Sequence, residues 1–186
     1  MRNPIAFCLV MASFATVLTG NARADATPVG LTVGGLGGLM SPSSASGASS
    51  RFTGGFVADY RVAPLVDVGA VTTLSSHDEN GAGFKTVFYG VEGNYHIPSL
   101  EGLAFGARLG FTSVTASIPQ ISIGGISIGG ETTSTALSYG PHVTYDYKIA
   151  SQVSVGLDAG VNFVSSKDNM QSFSMINTLA SVKYWF

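Results

Sequence analysis

Charge is scarce in this chain of 186 residues: Asp, Glu, Lys and Arg together make up 11%, against about 25% in a typical soluble domain. The net charge is −2 and no Lys/Arg cluster exists, so the electrostatic footprint of a nucleic-acid binder is missing. Cysteine occurs once, at Cys8, which leaves no disulfide framework and no cysteine-based metal site. After Asp25 no apolar run reaches the about 20 residues that a membrane-spanning helix needs. Apolar spacing with a helical period is absent as well. Disorder is excluded from the other side, because disordered chains are highly charged and poor in large apolar residues. Here hydrophobic residues are 45% of the total.

What is present divides into a leader and a repeating pattern. Met1 and Arg2 open a basic start, Ile5 to Leu18 form a short apolar core, and Ala22-Arg23-Ala24 supplies small residues two apart. That is the layout of a secretory signal peptide, residues 1–24, cleaved before Asp25. An uncleaved anchor is the alternative, but the apolar stretch is short for one. Cleavage removes Cys8, Arg2 and Arg23, leaving seven basic and eleven acidic side chains and a net charge of −4 on residues 25–186.

From there the dominant signal is alternation with period two. Val153, Val155, Leu157, Ala159, Val161 and Phe163 share one parity, and Ser154, Gly156, Asp158, Gly160 and Asn162 the other. Successive strand side chains point to opposite faces, so this is a strand with one apolar and one polar side. Leu137–Ile149 and Leu103–Phe111 repeat the pattern, the latter with Arg108 on the polar side. Weaker versions run over Val29–Leu39, Arg51–Val62, Leu65–Leu74, Thr86–Ile97 and Phe173–Phe186, giving eight strands. Their connections alternate in kind. Ser41–Ser50, Ser75–Gly83, Ile118–Ser134 and Ser165–Ser172 read as long loops, whereas Ala63-Pro64, Pro98–Gly102 and Ala150–Gln152 read as tight turns. Long loops at one end and short turns at the other fit an all-β, eight-stranded antiparallel up-and-down transmembrane barrel with both termini periplasmic. Pro141 is a local misfit that a bulge after Gly140 would accommodate.

Alternation alone does not say which face points outward. A soluble ligand-binding barrel would carry the apolar face inside. Two features favour lipid outside. The polar face is mostly Gly, Ser, Thr and Asn rather than a Lys/Glu-rich coat. Aromatics of the apolar face also gather near strand ends: Tyr60, Tyr95, Phe105, Tyr147 and Tyr184 at one, Phe52, Phe111, Tyr139 and Phe163 at the other. Paired aromatic girdles are what the two membrane interfaces select.

The chain ends Thr178-Leu179-Ala180-Ser181-Val182-Lys183-Tyr184-Trp185-Phe186. This resembles the C-terminal signature of bacterial outer-membrane barrels, in which Tyr184 and Phe186 would be read by the barrel assembly machinery. With the leader and the strand count, the chain is similar to the small eight-stranded outer-membrane proteins: the transmembrane domain of outer membrane protein A and the OmpX-like and OmpW-like families. The resemblance implies a Gram-negative outer-membrane location, contact with outer-membrane lipids and long loops at the cell surface. No separate peptidoglycan-anchoring domain is expected beside the barrel.

Eight strands enclose a lumen that side chains fill. Isolated charges buried there would cost several kcal/mol, so they should pair. Glu92, Arg108 and Asp158 fall at matching heights, and Asp59, Arg61, Asp67, Asp146, Lys148 and Lys183 lie nearer the periplasm. Two layers of mixed charge are therefore expected to plug the lumen; a narrow polar path for small solutes is the alternative. No catalytic set is expected. His142 projects into the lumen among Thr144 and Asp146, and His96 sits near the periplasmic rim with Ser99 following across the Pro98 turn; His77-Asp78-Glu79 lies in a surface loop, where a solvated acidic tip explains it better than a metal contact. No serine stands at a two-residue offset from His142, and neither a metal site nor a cofactor is expected. Gly34-Gly35-Leu36-Gly37-Gly38 precedes no helix, so it reads as room for curvature rather than a phosphate loop. The direct repeat Ile121-Ser122-Ile123-Gly124-Gly125, Ile126-Ser127-Ile128-Gly129-Gly130 fits a hairpin. Strands five and six would then project as a ribbon, and segment 118–134 is either a low-complexity duplication in a tolerant loop or a surface edge for a cell-surface partner.

Overall fold

The computed structural model describes residues 30–43, 50–79, 82–123, 126–166 and 171–186. The leader 1–24 and the tips of the four longer connections lie outside these residues. Eight strands follow in chain order: β1 (Leu31–Pro42), β2 (Arg51–Ala63), β3 (Val66–Glu79), β4 (Ala82–His96), β5 (Leu103–Ile123), β6 (Ile126–Ala150), β7 (Val153–Val164) and β8 (Phe173–Trp185). Each pairs antiparallel with the next, and β8 pairs with β1 to close the barrel. Closure leaves no sheet edge within the barrel wall, which satisfies the backbone without help from water.

The alternation becomes geometry most cleanly in β8. Met175, Asn177, Leu179, Ser181, Lys183 and Trp185 are buried, and the residues between them are exposed. The three tight turns form where the sequence places them. Two of the long connections do not. Ser75–Gly83 is largely strand: β3 runs to Glu79 and β4 begins at Ala82. Ile118–Ser134 is likewise ladder on both sides, so β5 and β6 are the longest strands, at 21 and 25 residues. Ser, Thr and Gly beyond a barrel rim lack an apolar face, so hydropathy reads them as loop although their backbones stay paired.

Pro141 needs no bulge. Tyr139 pairs with Phe163 and His142 with Gly160 in one unbroken register, and pairing with β7 simply lapses at Gly140 and Pro141. Proline has no N–H to offer at that point. Gly140 also lets the backbones close up, since a Cβ there would sit 1.7 Å from the Val161 carbonyl oxygen. The glycines of β1 face both ways. A Cβ on the inward Gly38 would lie 2.2 Å from the Thr178 carbonyl, whereas one on the outward Gly35 would meet nothing within 4 Å.

This contrast makes a test. Gly140→Ala should lower the stability of the folded barrel by about 1–3 kcal/mol, the usual cost of overpacking. Gly35→Ala should change it by less than about 0.5 kcal/mol, as for ordinary surface sites. Denaturant unfolding midpoints of the two variants in detergent micelles check both.

Candidate functional site

The barrel wall is inverted relative to a soluble protein. Large apolar side chains stand on the outside, among them Phe56 at 70% exposure, Val91, Leu109, Ile149 and Val182. All nine aromatics assigned to the two strand-end girdles are exposed, from Phe52 at 73% to Tyr184 at 40%. Pairs across adjacent strands reinforce the girdle at the long-connection end: the Tyr89 and Phe111 rings lie 6.0 Å apart, and those of Tyr139 and Phe163 5.9 Å apart.

Inside, the charged residues predicted to fill the lumen do come together. Glu92 and Arg108 face each other across β4 and β5. The Arg108 Nε donates to Glu92 at 2.8 Å, and its Nη1 and Nη2 donate to Asp158 at 3.3 and 2.5 Å. A planar guanidinium matches two carboxylates at once, and charge-assisted bonds of this kind are the strong ones. Nearer the short turns, the Lys183 Nζ lies 2.8 Å from Asp146 and 4.0 Å from Asp59. At the rim the Arg61 Nε donates to Asp67 at 2.6 Å.

Three participants were not foreseen from the sequence. The His142 Nδ1 meets Asp158 at 3.3 Å. The His96 Nε2 lies 2.5 Å from Asp67 and 2.8 Å from the Arg61 Nη2. Trp185 turns inward, 7% exposed, and its Nε1–H donates to Ser154 at 3.0 Å. Lys148, expected in an ion pair, instead sets its Nζ 5.8 Å from the Trp185 ring, and the Arg61 guanidinium lies 5.7 Å from the same ring. Indole is the best cation–π acceptor among the side chains. Trp185 thus joins strands from opposite arcs of the wall and covers the short-turn end of the lumen.

The charge layers are only part of the filling. Leu36, Val57, Val71, Phe88 and Leu179 form a buried apolar cluster. Met40, Ala136, Val164 and Met175 form another, with Phe173 packed against it. They pack among buried Thr53, Thr73, Thr112, Ser138 and Asn177. Neither His96 nor His142 contacts a serine hydroxyl among the described residues, so the two Asp–His pairs have no adjacent nucleophile. The side chain of His77 lies outside the described ones. No group of three metal-ligating side chains occurs among the described residues.

At the other end β5 and β6 outrun their neighbours. Pairing of β4 with β5 ends at Gly83↔Ser117, while β5 and β6 stay paired to Ile123↔Ile126. Only Gly124 and Gly125 remain between those two, the two-residue connection the repeat predicts, and they lie outside the described residues. The register shifts between Ile118 and Ile121, opposite Gly129 and Gly130 with φ of 134° and 154°. Side chains rarely adopt such angles, so glycine permits the irregularity. Below it, hydroxyl pairs Thr115–Thr133 and Ser113–Thr135, at 2.9 and 2.7 Å, tie the ribbon.

No known protein family matches the chain, and no curated protein matches it in sequence. Solved structures do match its fold. Neisserial surface protein A superimposes with a TM-score of 0.65 at 16% identity, over 84% of this chain and 97% of that one. Ail, the attachment invasion locus protein of Yersinia pestis, gives 0.61 at 16% identity over 86% and 100%. The N-terminal barrel domain of OprF from Pseudomonas aeruginosa gives 0.52 at 12% identity over 85% and 98%. The fold is that of the small eight-stranded outer-membrane barrels, as the sequence resemblance implies.

The Arg108 cluster predicts a signature in stability. Arg108→Met alone should cost about 3–5 kcal/mol, because it strands two buried carboxylates. Adding Glu92→Leu and Asp158→Leu should recover most of that loss, since an apolar set of similar volume needs no partner. Unfolding midpoints of the single and triple variants, measured side by side in micelles, check this.

Proposed function

We propose that this chain is a non-catalytic integral barrel of a Gram-negative outer membrane, whose biological work is done at the cell surface rather than through its lumen. The observation that carries the reading is the inverted wall: an aromatic-bounded apolar exterior around an interior filled by its own ion pairs and apolar clusters. An apolar belt between aromatic girdles is stable only against lipid. In this reading the long connections face outward, both termini are periplasmic, and residues 1–24 are removed on export. Tyr184 and Phe186, exposed and in edge contact at 4.8 Å, form the terminal signal for the assembly machinery.

Among the described residues the two Asp–His pairs bond no serine hydroxyl, and the reading invokes neither catalysis nor a cofactor. The ribbon of β5 and β6 is the surface feature with the reach to meet a partner. Ail has been crystallised with the heparin analogue sucrose octasulfate. A passive pore for small solutes is the second reading. Buried lumen atoms without a described partner, Thr112 Oγ1, Ser138 Oγ and Asn177 Oδ1, favour it, because such groups attract water.

Two measurements separate these. In the outer-membrane fraction the unheated protein should run as a compact band in SDS and shift on boiling. Planar bilayers containing it should stay electrically silent. Discrete conductance that changes on Glu92→Gln would replace the sealed reading with the pore, and an unshifted detergent-free protein would sink both.

A further inference from the structure

Two buried side chains present unused lone pairs to one spot in the lumen. Asn94 on β4 and His142 on β6 flank Gly106 of β5 in register, and each is 5% exposed. The Asn94 Nδ2–H donates to Glu92 at 3.2 Å, which leaves Oδ1 directed elsewhere. The His142 Nδ1 meets Asp158, and a carboxylate only accepts, so a neutral ring carries its proton there and Nε2 offers its lone pair. Neither Asn94 Oδ1 nor His142 Nε2 has a hydrogen-bond partner among the described residues. Both lean over Gly106: a Cβ on that residue would lie 2.2 Å from the first and 2.3 Å from the second. Two acceptors turned to one place cannot satisfy each other.

Charge decides what joins them. Inward of Trp185 the lumen buries four carboxylates, Glu92, Asp158, Asp146 and Asp59, against two cations, Arg108 and Lys183. Arg61 is engaged with Asp67 at the rim, and Lys148 with the Trp185 ring. A water would satisfy the two lone pairs but leave this layer two negative charges in excess, which a dry interior penalises. A divalent cation answers both needs. Its ligands are already oriented, because a metal-binding histidine characteristically donates its other N–H to a carboxylate. Glu92 braces Asn94 in the same manner. The way in is along the ladder from the short-turn rim, where Asp67 is the register partner of Asn94 and His96 is partly exposed.

We infer that Asn94 Oδ1 and His142 Nε2 bind one divalent transition-metal ion beside Gly106, with water completing its coordination. An imidazole nitrogen next to a neutral amide oxygen suits the nickel, copper and zinc group. Structural ions have about four protein ligands, so this one is exchangeable and the fold does not require it. The inference goes beyond the surface reading and does not depend on it.

The test uses the intact, tag-free protein in detergent micelles, stripped with EDTA and titrated with Cu2+. Binding should saturate at one site, with an electron paramagnetic resonance spectrum split by one imidazole nitrogen. His142→Gln and Asn94→Leu should each weaken it at least tenfold, and two variants keep the test open should either fail to fold. The heat-dependent gel shift verifies folding. His96→Gln and His77→Gln should leave the spectrum unchanged. Persistence of the spectrum in the lumen variants, or its loss with His96→Gln, overturns the inference by placing the ion elsewhere. Absence of saturable binding overturns it as well, and 15N shifts of the metal-free His142 ring then name the occupant. Two N–H groups mean a proton shared with Asn94, and one means a bridging water.

Discussion

Pairing of β1 with β8 is the constraint from which the interior follows. Once eight strands close, the radius is fixed, and the wall must contain its own filling because no second layer packs against it. A tight radius crowds the inner face, which explains why small and large residues mix there. Gly38 and Gly140 stand where neighbouring backbones press in, and Phe88, Met175 and Trp185 stand where space remains. The outer face has the opposite problem, a convex surface with room to spare, and it carries the aromatics.

Burial of charge in such a lumen is tolerable only as complete sets. Arg108 satisfies two carboxylates from strands on different sides of the wall, and Lys183 lies between another two. Each cation is thus a cross-lumen tie as well as a neutralising partner. The apolar clusters do the same work toward the long connections by a different route, excluding water instead of matching charge. Both devices fill the lumen from the wall's own side chains.

The architecture was legible in the sequence because period-two alternation is a direct image of the wall, and tight turns fix register. The Glu92–Arg108 pairing could be counted from the short turn between β4 and β5. Elsewhere the image blurred. Outward Gly35 and Gly37 mute the contrast in β1, so inward Leu36 and Met40 did not stand out as a lumen core. Trp185 was hidden between two outward aromatics, where the eye follows the girdle rather than the parity. His142 was placed in the lumen but given no partner, because its neighbour Asp158 comes from β7, across a ladder that only three-dimensional register reveals. Polar ladder beyond the rim, as at Ser76 or Thr132, has no hydropathic contrast at all, and its strands were therefore read as loops.

The location of the lumen's closing groups on the final strand has a consequence for biogenesis. Lys183 and Trp185 both belong to β8, while their partners Asp146, Asp59 and Ser154 belong to strands synthesised earlier. In an open sheet those carboxylates are still hydrated. They lose water as β8 arrives with the cation that meets them. Charge burial and barrel closure are then one event, so an assembly intermediate need never hold an unpaired ion in a dry interior. A chain shortened by its last few residues would lose the latch and the neutralising charge together.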